Sequence, residues 1–126
     1  MSGQGLALAA VMLVGTAFLP ISAGAAGDAA TGEKLFKRNC AACHTTDAGK
    51  HRVGPSLAGV AGRTAGTADG YRYSSAMAGY GVVWDAATLD TYLVDPRGTV
   101  PGTKMTFRGL KERQDRENVI TYLETQ

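Results

Sequence analysis

The chain has little with which to build a core. Its 126 residues include only three Phe, five Tyr and one Trp, while 17 are glycine. That excludes a large apolar interior and leaves room for one small domain. No internal repeat is evident, so a solenoid or propeller is excluded. No stretch alternates apolar and polar residues as a half-buried strand would. The formal net charge is a modest +2, and no nucleic-acid partner is expected of it. The first 26 residues carry no charged side chain at all. Cysteine occurs at only two positions, and both fall in one short string.

The uncharged start has its own pattern. Leu6 to Ile21 is mostly apolar, broken by Gly15 and Pro20, and runs into Ser22-Ala23-Gly24-Ala25-Ala26. These are the apolar and cleavage regions of a secretory signal peptide, although no Lys or Arg precedes them. Ala23-x-Ala25 and Gly24-x-Ala26 both suit cleavage. An uncleaved membrane anchor is the rival reading, but the run is short for a span, which needs ~20 residues. Residues 1–26 are therefore expected to be the leader and residues 27–126 the folded domain.

In that domain the helical signals are few and clear. Asp28 is an N-cap for a first helix with Gly32, Leu35 and Phe36 on one face, running into Cys40. Residues 45–70 read as glycine-rich loop. Asp85 caps a second helix with Leu89, Tyr92 and Leu93 at helical spacing, and Pro96 stops it. Residues 97–109 are loop again. A last helix covers roughly residues 112–124, with Val119, Ile120, Tyr122 and Leu123 apolar. Three helices and long loops make an all-α domain.

Cys40-Ala41-Ala42-Cys43-His44 is the attachment signature of a c-type haem. Positions three apart on a helical turn share a face. Both thiols can reach the two vinyl groups along one side of a porphyrin, and His44 can then give a nitrogen to the iron. Other readings fit less well. A thioredoxin-like pair expects a βαβ pattern that is missing here. A zinc site from Cys40, Cys43, His44 and His51 would require adjacent residues to converge on one tetrahedral ion. A plain disulfide is the third alternative in an exported chain. A haem would also supply the apolar surface that the composition lacks.

A His-ligated haem iron needs a second partner or keeps an open site. Met105 lies in Val100-Pro101-Gly102-Thr103-Lys104-Met105-Thr106-Phe107, an irregular loop that can present a thioether. Filling a core gap is the usual job of methionine. Beside a haem motif, ligation is the stronger reading. Met77, in Ser74-Ser75-Ala76-Met77-Ala78, is expected to pack near the ring. His51, between Lys50 and Arg52, reads as an exposed loop residue.

From Gly27 to Gln126 the sequence resembles class I cytochromes c of the mitochondrial type. The matching stretches are Gly27-Asp28 through Lys34-Leu35-Phe36, Cys40-x-x-Cys43-His44-Thr45, Gly54-Pro55-x-Leu57 and Gly62-Arg63. Gly70-Tyr71-x-Tyr73, Trp84, Tyr92-Leu93, Pro101-Gly102-Thr103-Lys104-Met105 and Tyr122-Leu123 complete them. The resemblance implies a small cytochrome c fold, helices and glycine-rich loops wrapped around one covalent haem c. It implies that Cys40 and Cys43 bind the haem and that His44 and Met105 ligate iron. By the same resemblance the Pro55 carbonyl orients His44. Arg63, Tyr73 and Trp84 surround a buried propionate, Tyr92 lies beside the ligand sulfur, and Thr103 belongs to the cofactor-binding loop. Taken alone, Arg63 would read as a solvated arginine, Trp84 as a core anchor and Tyr92 as an apolar-face residue. Gly32 and Phe36 are expected to meet the last helix near Val119 and Tyr122. Asn39, Met77 and Gly98 depart from the lysine, asparagine and lysine usual at these positions. The leader points to a bacterial periplasmic protein, membrane-anchored if the leader is not cleaved.

The expected function is a one-electron carrier, because two protein ligands leave no open iron site for substrate and His/Met ligation suits electron transfer. It is therefore not expected to be an enzyme. A bc1-type complex is the expected donor. A haem–copper oxidase, a reductase or a photosynthetic reaction centre is the expected acceptor. Docking is expected to be transient, at the membrane surface, and by a monomer. A ligand-binding or peroxidatic haem protein, with Met105 off the iron, is the alternative from another class. Arg97, Lys104, Arg108, Lys111, Arg113 and Arg116 cluster late in the chain, against Glu112, Asp115 and Glu117, and near a haem edge they would steer acidic partners.

Overall fold

The computed structural model describes residues 27–126, together with positions 1, 3, 5 and 15. The expected leader otherwise lies outside the described residues. Five helices appear in order among the described residues: α1 (Ala29–Asn39), α2 (Ser75–Ala78), α3 (Ala86–Val94), α4 (Pro96–Thr99) and α5 (Arg113–Leu123). The three long ones are those expected from sequence.

Helix α1 starts where the Asp28 carboxylate accepts from the Thr31 backbone N–H at 2.9 Å, a side-chain cap for an otherwise orphan donor. Its Gly32, Leu35 and Phe36 are buried against α5. A Cβ on Gly32 would stand 1.9 Å from the Asn118 carbonyl oxygen, so only glycine lets the two backbones come this close. The Phe36 and Tyr122 rings meet at 5.4 Å. Helix α1 hands over directly to the haem motif through Cys40 N–H to Phe36 O at 2.8 Å. Helix α3 begins at Asp85, whose side chain accepts from Thr88 N–H at 2.8 Å, and it buries Leu89, Tyr92 and Leu93.

Two short helices were not expected. In α2, Ser74 Oγ accepts from Met77 N–H at 3.1 Å and turns Met77 into the core. Pro96 does end α3, but it also opens α4 at its first position, where no N–H is required. The Asp95 carboxylate caps that turn through Gly98 N–H at 3.0 Å.

Two chain segments replace a sheet. Gly62–Ala65 runs antiparallel to Val82–Trp84, joined by Trp84 N–H to Arg63 O (2.9 Å), Gly62 N–H to Trp84 O (2.8 Å) and Ala65 N–H to Val82 O (2.7 Å). Only the Thr64–Val83 bridge registers as β structure among the described residues. This pairing brings Arg63 and Trp84 together from opposite ends of a loop.

Arg116 corrects one expectation. It is buried, not part of a surface charge cluster. Its Nε donates to Asp90 at 2.7 Å, and one NH group reaches the Leu110 and Lys111 carbonyls at 3.0 and 2.9 Å. It therefore ties the exit of the Met105 loop to α3 and α5.

Candidate haem site

The first half of the site is built from backbone geometry. After Cys40 the chain turns, and His44 N–H bonds back to Cys40 O at 2.9 Å. His44 Nδ1 lies 2.7 Å from the Pro55 carbonyl. A carbonyl only accepts, so Nδ1 carries the proton and Nε2 keeps its lone pair. Burial lowers the His44 pKa and outweighs the Pro55 contact, which favours the charged form. The ring is thus held neutral, as an iron ligand must be. Gly54 leaves room for it: a Cβ there would stand 2.3 Å from His44 Cε1. Gly54 was part of the matching sequence stretch, but its contact with the ring was not legible there.

Cys40 and Cys43 are both free thiols. Burial, with a smaller effect from Cys43, pushes the Cys40 thiol up to about 11. It is a neutral thiol, not a metal-binding thiolate. Among the described residues no three His, Cys, Asp or Glu side chains gather where they could hold a metal ion. The zinc and disulfide readings find no support in this arrangement.

The loop around this half is tightly bound. Gly54 N–H reaches Cys43 O (2.8 Å), Arg52 N–H reaches Gly54 O (2.9 Å), and Leu57 N–H reaches Thr45 O (2.8 Å). The Arg52 guanidinium donates to Ala41 O at 2.8 Å. His51 is no idle surface residue. Its Nδ1 accepts from Ser56 N–H at 3.0 Å, and its Nε2 donates to Asp69 O at 2.7 Å. It staples the 51–56 loop to the next one. Nothing local in the sequence could have announced this, because both partners are backbone groups.

The second half centres on Met105, half-buried against the core. The Tyr92 hydroxyl donates to Met105 Sδ at 3.1 Å. Burial pushes the Tyr92 phenol up to about 12, partly offset by a bond with Thr103, so it stays protonated as a donor to sulfur. Thr103 Oγ1 also accepts from Met105 N–H at 3.3 Å. Tyr92 packs its ring at 4.9 Å from Trp84, and Trp84 lies 5.9 Å from Tyr80. The expected neighbours Tyr92, Thr103, Trp84 and Met105 are therefore joined. Met77 packs in the buried core with Trp84 and Tyr92.

Arg63 offers a fit test for a haem. Its NH groups reach Ala58 O and Ser56 O at 2.9 and 3.3 Å. Its Nε is buried and has no partner among the described residues. An orphan buried cationic donor asks for an acceptor, and a propionate would supply one. Tyr73 accepts from Ala68 N–H at 3.0 Å through its hydroxyl oxygen, which leaves its own proton to donate. Paired thiols, a neutral histidine with a bare nitrogen, a thioether and a guanidinium with one unpaired N–H are the donor set of a covalent haem with a buried carboxylate.

The chain is similar to known proteins over almost the whole of its folded part. The cytochrome c family model matches residues 29–126. The cytochrome cy of Rhodobacter capsulatus is 52% identical over 99 residues, covering 79% of this chain and 49% of that protein. The chain thus spans about half the length of that relative. Cytochrome c of Nigella damascena is 48% identical over 99 residues, covering 78% of this chain and 89% of that one. Among solved structures, cytochrome cH from Methylobacterium extorquens superposes with a TM-score of 0.74 at 48% identity, over 79% of this chain and all of that one. Membership of that family implies a covalent haem c, and Cys40 and Cys43 stand at the spacing that attaches it. The chain therefore belongs to the cytochrome c family, whose members are electron carriers and not enzymes.

Proposed function

We propose that this chain is a periplasmic shuttle that moves one electron at a time between membrane complexes through a His44/Met105-ligated haem. The observation that carries the ligand assignment is the His44 Nδ1–Pro55 carbonyl bond at 2.7 Å. It commits one ring nitrogen and leaves the other for iron, one residue from a thiol. Cys40 and Cys43 hold the porphyrin by thioethers. When bound, the haem supplies the reversible one-electron couple. Tyr92 aims a proton at the Met105 sulfur, and Thr103 steadies the same loop. Arg63 and Tyr73 offer donors to a propionate, with Trp84 packed alongside. Acid–acetone extraction of the purified protein should leave the haem with the polypeptide. Haem in the organic phase would refute the covalent assignment.

The donor we propose is a bc1-type complex, and the acceptor a haem–copper oxidase, reductase or photosynthetic reaction centre. The bacterial cy and cH relatives and the leader-like residues 1–26 support a periplasmic setting, with the leader cleaved near Ala25 or Ala26. No helix among the described residues is long and apolar enough to cross a membrane. The docking face is the rim around the Met105 loop, where Arg97, Lys104 and Arg108 are exposed. Lys104 is held in place by donating to Arg72 O at 2.8 Å. Replacing Lys104 and Arg108 with Glu should slow electron transfer to a purified haem–copper oxidase at low salt. The difference should close as the screening length shrinks from about 8 Å at physiological ionic strength. Unchanged rates at low salt would place docking elsewhere.

A further inference from the structure

Three aromatic rings lead away from the Met105 sulfur. The Tyr92 hydroxyl touches Met105 Sδ at 3.1 Å. The Tyr92 ring lies 4.9 Å from Trp84, and Trp84 lies 5.9 Å from Tyr80. Trp84 and Tyr92 are buried, whereas Tyr80 is half-exposed. The row therefore runs from the candidate ligand toward the surface. The remaining tyrosines stand outside it. Tyr71 and Tyr73 face each other at 4.8 Å, and Tyr122 packs on Phe36. Among the described residues none of these three has a ring contact with Tyr80, Trp84 or Tyr92.

Indole and phenol rings can give up one electron and take it back without breaking a bond of the chain. A phenol that has lost an electron is a strong acid, so its proton must find a base. Tyr92 has none: its hydroxyl points at a thioether, a weak acceptor. Burial also holds its phenol up at about 12. Tyr80, half-exposed, can hand its proton to water. We propose that Tyr92, Trp84 and Tyr80 form a relay that draws an oxidising equivalent off the haem site when hydrogen peroxide is reduced there, with Tyr80 as its exit. This rests on the haem reading above and adds to it a protective side reaction, open only while Met105 is off the iron. The reaction balances as follows: the O–O bond of the peroxide breaks, and two electrons and two protons turn it into two waters. One electron comes from ferrous haem, which is left ferric. The other comes through the relay, where each inner ring is refilled by the next. The net loss is one electron and one phenolic proton from Tyr80, and the second proton comes from solvent. A neutral tyrosyl radical remains at the surface, away from the haem and the Met105 thioether, which is itself open to oxidation.

The test treats the ferrous, haem-loaded protein with hydrogen peroxide and a nitroso spin trap, then maps the labelled peptides by mass. The label should sit on Tyr80. Tyr80→Phe should lose that label, and its haem absorbance should bleach several-fold faster. Its near-red methionine band in the oxidised protein and its Tm should match those of the unaltered chain, which shows that the site is intact. Tyr71→Phe should keep the Tyr80 label and bleach no faster. A label on Tyr71 or Tyr73 with Tyr80 bare would mean that the oxidising equivalent leaves by the other ring pair, and the relay is wrong. A label confined to Tyr92 would mean that it has no exit. Equal bleaching of Tyr80→Phe and the unaltered protein would remove the protective role. A near-red band missing before any peroxide is added would refute the Met105 assignment separately, and the position of the label would still decide the relay.

Discussion

The two loops that present the candidate ligands are held in different ways. The His44 side, residues 43–57, is laced by backbone bonds from Gly54, Arg52 and Leu57, and stapled again by His51. From Lys104 to Gly109, among the described residues, no backbone N–H reaches a backbone carbonyl. Met105 depends instead on side chains: the Tyr92 hydroxyl, the Thr103 hydroxyl and the Lys104 ammonium on Arg72 O. A backbone lattice opens only when several bonds break together, whereas side-chain ties can be lost one at a time. The histidine side is therefore the fixed wall of the site and the methionine side its weaker one.

The sharpest way to break this contrast is at Gly54. Gly54→Ala puts a methyl where His44 Cε1 already lies, and the laced loop cannot yield to it. A cost of about 3 kcal/mol or more is expected, with most of the covalent haem lost on expression. A normally loaded variant, judged by the haem-to-protein absorbance ratio, would mean that this wall is softer than its hydrogen bonds indicate.

Next in size is Arg116→Ala. It frees the exit of the Met105 loop by removing the contacts with Leu110 O, Lys111 O and Asp90. Asp90 is partly exposed, so we expect roughly 2–3 kcal/mol, measured by denaturant unfolding. The near-red methionine band should vanish at lower denaturant than the change in helical circular dichroism. If both move together, the two sides of the site are one cooperative unit.

Tyr92→Phe is milder. It deletes the hydroxyl's contacts with Met105 Sδ and Thr103 and leaves the ring packing on Trp84. A loss of ~1 kcal/mol is expected. It should appear as easier displacement of Met105 by an external ligand such as imidazole, with little change in Tm. A large fall in Tm would assign Tyr92 to the global core instead.

The smallest effect lies away from both loops, at the α3 cap. The Thr88 backbone and side-chain bonds hold the Asp85 carboxyl below its ordinary 3.8. A carboxylate with a depressed folded pKa stabilises above the unfolded pKa and loses that contribution as pH falls through the folded one. Asp85→Asn should therefore be slightly less stable near neutral pH. The gap should narrow as pH drops below about 4. A gap that widens in acid would reverse this assignment.

Much of this was legible in the sequence where the signal is local. Asp28 and Asp85 announced their helices because a cap and a helical apolar face lie within one or two turns. The haem string was legible because its chemistry fixes spacing. What escaped notice depends on distant or backbone partners. Arg116 looked like surface charge because Asp90 and the two carbonyls that bury it come from other segments. His51 looked exposed because its partners are a main-chain N–H and a main-chain carbonyl. Helix α2 is four residues long, too short to show a period. Pro96 reads equally as an end and a beginning, and here it is both.

The measurement that tests the central claim most directly is the near-red absorption of the oxidised protein in two variants. A methionine-to-iron charge-transfer band should be present in the unaltered chain, absent in Met105→Ala and retained in Met77→Ala. A band that survives loss of Met105, or disappears with Met77, would contradict the assignment of Met105 as the second ligand.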